Sequence, residues 1–172
     1  MSSTVALGLL MLRIVVGIVF TAHGYNHIFG GGRIAGTGRW FESLGMRPGI
    51  LHAWVASLTE LGAGGLLILG LLTPLGGAGV VGVMLVAWIT NHRKNGFFIF
   101  RPGEGYEYVM TLTFCGLLFA STGGGDWSLD HAIGIFDPPN WWATGICYAA
   151  GIGGAVGLLV TCWRPGRAPA KG

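Results

Sequence analysis

The sequence predicts an all-α fold, a polytopic transmembrane helical bundle, and three observations carry that prediction. Hydrophobic residues make up 52% of the 172 and charged residues only 10%, well below the roughly 25% charged fraction of soluble domains. Mean hydropathy is +0.63, and the apolar residues gather into stretches near the ~20 residues that a helix needs to cross a bilayer. Basic residues fall between those stretches in alternate loops, the pattern of a chain threaded back and forth.

Five spans follow, at Val5–His27, Leu51–Leu72, Leu75–Asn91, Tyr106–Thr122 and Trp142–Trp163. The first has no basic leader and no A-x-A-like cleavage site, so it reads as a span and not as a signal peptide. Between Ile34 and Met46, Trp40, Phe41 and Leu44 stand against Arg39 and Glu42. That pattern suits a short amphipathic helix lying on the membrane surface, or an ordinary polar loop. Pro74 cannot continue a helix, so Leu72-Thr73-Pro74 makes the second and third spans a tight hairpin. The third and fourth spans are short and extend into their loops or stand with little tilt. Trp141, Trp142 and Trp163 bracket the fifth as an aromatic belt. Gly153 and Gly157 form a G-x-x-x-G on that span, with Ala78 and Gly82 a looser counterpart on the third; they pack within the bundle or between protomers of a homo-oligomer.

Charge sets the expected orientation. Arg33, Arg39 and Arg47 lie in the first loop, Arg93, Lys94 and Arg101 in the third, and Arg164, Arg167 and Lys171 in the tail. The fourth loop carries Asp126, Asp130 and Asp137 instead. Five spans put all nine loop and tail cations on one side, which predicts the N-terminus outside and the C-terminus in the cytoplasm of a bacterial plasma (inner) membrane.

Charges inside the spans mark the candidate site. A lone arginine at mid-membrane costs about 3 kcal/mol on insertion scales. Arg13 is therefore expected to pair with Glu60, since both lie near the middle of their spans. A second cluster collects at the basic ends of the helices: His23 and His27 on the first span, His52 on the second, His92 after the third, and Tyr106 and Glu107 on the fourth. His27 falls within about 40° of Arg13 on a helical wheel and His23 within about 80°. This cluster admits three readings: interfacial polar residues bonded to loop backbone, a site for the polar head of a quinone-like or other amphipathic ligand, or a metal site. Its spacing gives little support to a metal, and none is expected.

Other chemistry is missing from the sequence. Cys115, Cys147 and Cys162 form no C-x-x-C. No P-loop, dinucleotide fingerprint or Ser-His-Asp arrangement occurs. No basic or aromatic surface suggests nucleic acid. The chain has no self-contained catalytic motif.

The run L-R-I-V-V-G-I-V-F-T-A-H-G-Y-N-H-I-F-G (Leu12–Gly30) resembles the first helix of the DoxX family. W-F-E-S-L-G-M (Trp40–Met46), T-E-L-G-A-G-G-L-L-I-L-G-L-L-T-P (Thr59–Pro74), N-G-F-F (Asn95–Phe98) with G-Y-E-Y (Gly105–Tyr108), and G-G-D-W-S-L-D-H (Gly124–His131) continue the resemblance in order. It covers roughly residues 8–134. It implies a DoxX-like four-helix membrane core over residues 1–134, with residues 135–172 adding a fifth C-terminal helix and a short basic tail. It maps family residues onto Arg13, Glu60, His92 and Glu107. The chain departs from the family at His27, where a lysine is common, and in having the fifth helix. The resemblance further implies a subunit or anchor of a membrane redox assembly, linked to thiol and oxidative stress or to quinones, with quinone as the cofactor and membrane redox proteins as partners. A small-molecule carrier with Arg13 and Glu60 on its path, and a purely structural scaffold, are the alternatives.

Overall fold

The computed structural model describes residues 2–136 and 139–166. Asp137, Arg167 and Lys171, counted above among the loop and tail charges, lie outside the described residues. The described residues form seven α-helices: α1 (Ser3–Phe29), α2 (Arg33–Ser43), α3 (Gly49–Leu69), α4 (Thr73–Ala87), α5 (Glu107–Thr122), α6 (Leu129–Ile133) and α7 (Trp141–Cys162). A π-helical turn, Trp88–His92, and a 3-10 turn, Arg93–Asn95, prolong α4. Four helical stretches are long and apolar enough to cross a membrane: Ser3–Phe29, Gly49–Leu69, Thr73–Asn95 and Trp141–Cys162. The fourth predicted span, Tyr106–Thr122, forms as α5 but is shorter than those four. α5 has 16 residues, about 24 Å of helix against a hydrocarbon core of about 30 Å.

Glycine sets how closely α1 and α3 approach. A Cβ at Gly17 would stand 2.8 Å from the Gly64 carbonyl oxygen, and one at Gly64 would stand 2.7 Å from that of Gly17. Neither position tolerates a side chain while the helices stay where they are. α4 is the centre of the bundle, with α3, α5 and α7 packed around it. The α3–α4 hairpin forms as expected. Gly70 closes α3 in the left-handed conformation (φ 64°), and Pro74 sits in the first turn of α4, where its missing N–H costs nothing. The stretch around Ile34–Met46 is a helix, α2, laid against the start of α3.

The outer surface is apolar, as a lipid-facing surface must be. Met11, Val15, Ile18, Leu58, Ile146 and Val160 are all exposed. The small residues of the third and fifth spans divide. Gly82 and Ala78 lie against Gly151 of α7, whereas a Cβ at Gly153 or Gly157 would meet nothing. The looser pair packs inside the bundle and the G-x-x-x-G faces outward.

Candidate functional site

Arg13 and Glu60 do not pair, which corrects the expectation from depth. Arg13 is fully buried. Its two terminal nitrogens donate to the carbonyls of Leu67 (2.8 Å) and Trp127 (2.7 Å). The buried carboxylate of Asp130 supplies nearby counter-charge. The cause is helix register. Gly17 lies against Gly64 and Ile68, and Gly24 against Ser57 and Glu60. Arg13 is therefore opposite the C-terminal end of α3, and Glu60 sits two turns away, about 10 Å along the axis.

Asp130 explains the arginine's surroundings. It reads in the sequence as one acid of a solvated loop, yet it is fully buried. Its carboxylate accepts from the backbone N–H groups of Leu72 (2.7 Å) and Thr73 (2.8 Å). An anion there satisfies donors that the start of α4 leaves free and complements the helix dipole. Arg13 and Asp130 together clamp α1, α3, α4 and the loop at the end of the bundle away from the basic loops.

Glu60 is paired with His27. The His27 Nδ1 and Glu60 Oε2 atoms are 3.0 Å apart, with both side chains largely buried. The angle is not that of a hydrogen bond, so both buried atoms keep unused hydrogen-bonding capacity. They line a cavity of about 560 Å³ bounded by α1, α2, α3, α4, α5 and α7, within the range of small-molecule sites. His23, His52, His92 and Glu60 all line it, as do Asn91 and Tyr108. Trp40 and Phe41 of α2, and Leu44 just after it, border the cavity at its basic end. Thr59 and Thr90 also border it, and the rest of the wall is apolar or glycine.

The π-helical turn Trp88–His92 brings His92 to this cavity. Single π turns inside α-helices recur at functional sites. His92 Nδ1 lies 2.9 Å from the Glu104 carbonyl. A carbonyl only accepts, so Nδ1 carries the proton. In a neutral ring, Nε2 is then an acceptor, 3.2 Å from both the Tyr108 hydroxyl and the Asn91 amide nitrogen. By the same reasoning His52 Nε2 donates to the Arg47 carbonyl at 3.2 Å. Its Nδ1 is a buried lone pair without a hydrogen-bond partner.

The remaining candidates lie elsewhere. Glu107 accepts from the Ile99 N–H at 2.7 Å and folds the loop before α5. Tyr106 stacks on Trp88, centroids 5.4 Å apart, and meets Phe97 edge-on. Sequence reasoning singled out neither Tyr108 nor the role of Asp130. Tyr108 stood within the Gly105–Tyr108 motif, and that was the one signal available for it. Among the described residues no three His, Cys, Asp or Glu side chains converge to hold a metal ion.

This geometry gives a buried acid–imidazole pair, a second imidazole bonded to a phenol, and an apolar cleft leading to both. Such a site can hold a polar ring by hydrogen bonds and exchange protons with it.

Comparison with known proteins agrees with the fold. The family model described as DoxX matches residues 8–93. That segment runs from α1 through the π-helical turn and includes His23, His27, His52, Glu60 and His92. A protein of Bacillus subtilis (strain 168) named "Putative oxidoreductase CatD" is 32% identical over 113 residues, which cover 66% of this chain and 78% of the relative. No solved structure matches the chain significantly.

Proposed function

Because this chain belongs to the DoxX family of membrane proteins, we propose that it is a quinone-binding subunit of a membrane redox assembly. The observation that carries this reading is the His27–Glu60 pair. Two buried polar atoms with no hydrogen bond border a cavity whose walls are mostly apolar. Leaving such atoms unsatisfied costs about 1–3 kcal/mol each. A ligand with a polar ring and a lipid-soluble body recovers that cost and gains apolar burial. A quinone is such a ligand: its oxygens accept from an imidazole N–H and, once reduced, donate to a carboxylate.

The chain supplies a place and protons, and the electrons come from a partner protein. That division suits a chain without a nucleotide or metal motif. It also agrees in kind with the relative's name, which calls that protein an oxidoreductase. The carrier alternative needs Arg13 on a substrate path, and Arg13 is fully buried, with backbone carbonyls as its partners. The assembly sits in a bacterial plasma membrane, with the loops around Arg39 and Arg101 on the cytoplasmic side.

The test is chemical. Protein purified in mild detergent is expected to retain a quinone, identified by solvent extraction and mass spectrometry. Glu60→Gln keeps the shape and removes the charge. It is expected to weaken quinone binding by about 10–100-fold, the equivalent of one charge-assisted hydrogen bond. Wild-type protein that neither retains a quinone nor binds an added one would overturn the reading.

A further inference from the structure

α7 lies outside the segment matched by the DoxX family, residues 8–93, and its place in the fold gives it a use. It is tied down at both ends. Near its start the Thr144 hydroxyl donates to the Ala120 carbonyl at 3.1 Å. At its end Trp163 Nε1 donates to the Leu44 carbonyl at 2.9 Å, and the Arg164 N–H to that of Gly45 at 2.8 Å. Between those ties it packs on α4 through Gly151, and α3 packs on α4 from another side. The cavity continues along this cleft, past Gly62 and Leu66 of α3, Gly79 of α4 and Gly154 of α7, as far as Leu75.

We infer that the cleft walled by α3 and α7 is a lane for the hydrocarbon chain of the ligand, and that α7 makes the protein selective for a long-chain ligand. The inference rests on the quinone reading and deepens it. The head lies at His27 and Glu60, and the chain runs along α4 away from the basic end. Leu75 to Ala87 spans about 18 Å of helix. The lane is continuous with the His27–Glu60 site, so a chain attached to a head bound there enters it directly. Its walls are mostly apolar, and glycine at three positions keeps side chains out of it there.

Two of those glycines make the test clean. A Cβ added at Gly62 or Gly154 meets no atom within 4 Å, and the same is true of Gly153, which does not border the cavity. The backbone at each position has room for a side chain to start, and leucine favours helix over glycine. The probes are a tail-less dimethylnaphthoquinone and a naphthoquinone with a long isoprenyl chain, titrated by quenching of tryptophan fluorescence at fixed detergent concentration. Wild type is expected to bind the long-chain probe at least tenfold more tightly. Gly62→Leu and Gly154→Leu are expected to erase most of that advantage and leave the tail-less probe unaffected, and Gly153→Leu to behave as wild type. Equal binding of both probes by wild type, or an advantage that survives both lane substitutions, overturns the lane and leaves the quinone site standing. Binding of neither probe by wild type overturns both. Copurified phospholipid that the long-chain quinone fails to displace also overturns the inference and assigns the lane to an acyl chain.

Discussion

Arg13 and Glu60 share one kind of environment and do different work. Arg13 satisfies two backbone carbonyls at the end of the bundle opposite the basic loops. Removing it orphans the Trp127 carbonyl, leaves the Leu67 carbonyl only the Gly70 N–H, and leaves Asp130 without its cation. Each orphan costs about 1–3 kcal/mol, so Arg13→Leu is expected to lower stability by about 3 kcal/mol, read from thermal unfolding in detergent. Glu60→Gln removes one member of a pair that is not aligned as a hydrogen bond, and should cost under about 1 kcal/mol. Two sites about 10 Å apart without shared partners are expected to add within about 0.5 kcal/mol. A double variant, Arg13→Gln with Glu60→Gln, therefore distinguishes this arrangement from a direct ion pair. Strong coupling between the two would contradict the geometry. The sequence could name both residues as costly to bury and in need of partners. It could not show which partners, because a two-turn change in register between α1 and α3 moves an arginine from a carboxylate to a carbonyl. The helical wheel put His27 on the Arg13 side of α1, facing the interior, and gave no sign that Glu60 would be its partner.

At the scale of elements, close helix contacts decide which glycines matter. Gly17 and Gly64 meet backbone to backbone, and no side-chain rotation makes room for a Cβ there. Gly64→Val is expected to force α1 from α3 and cost at least the 1–3 kcal/mol typical of overpacking. Gly157→Val on α7 points into open space and should leave unfolding unchanged within about 0.5 kcal/mol. Equal sensitivity at the two positions would mean that α7 packs against a second chain through that face. Helix positions were readable in advance because apolar length and Pro74 are local signals. The hairpin at Gly70–Pro74 fell where those signals put it, whereas the pattern around Ile34–Met46 left helix and loop both open and the chain forms the helix α2. The π-helical turn at Trp88–His92 was not readable. Nothing in W-I-T-N-H departs from ordinary helix, and the turn is held by tertiary contacts: His92 on Glu104 and Tyr108, and Trp88 on Tyr106. The same holds for Tyr108, whose partner lies sixteen positions earlier in the chain.

Over the whole molecule, the short α5 decides how many times the chain crosses the bilayer. α4 ends, through Arg93 and Lys94, at the end of the bundle that holds α2. α7 returns to that same end, where Trp163 bonds Leu44. α7 therefore starts at the opposite end, and the chain must travel there from Lys94 to begin it. α5 makes that journey packed against α4 and α7. A helix of 16 residues is about 6 Å short of the hydrocarbon core, a mismatch that costs only fractions of a kcal/mol per Å through local thinning. The ends of α5 have means to dip inward: Glu107 is held by the folded loop at Ile99, and Gly123 turns the chain sharply at φ 68°. Five crossings with a short fourth also keep the described loop cations at one end, whereas an α5 that failed to cross would divide them. Phe100 and Ile133 are both exposed and flank α5 on either side, so they report the crossing directly. With the three native cysteines replaced by alanine, Ile133→Cys is expected to react with a membrane-impermeant maleimide on intact cells. Phe100→Cys should react only after the membrane is opened. Labelling of both from the same side would remove the fourth crossing, and with it the common cytoplasmic side on which the charge argument depends.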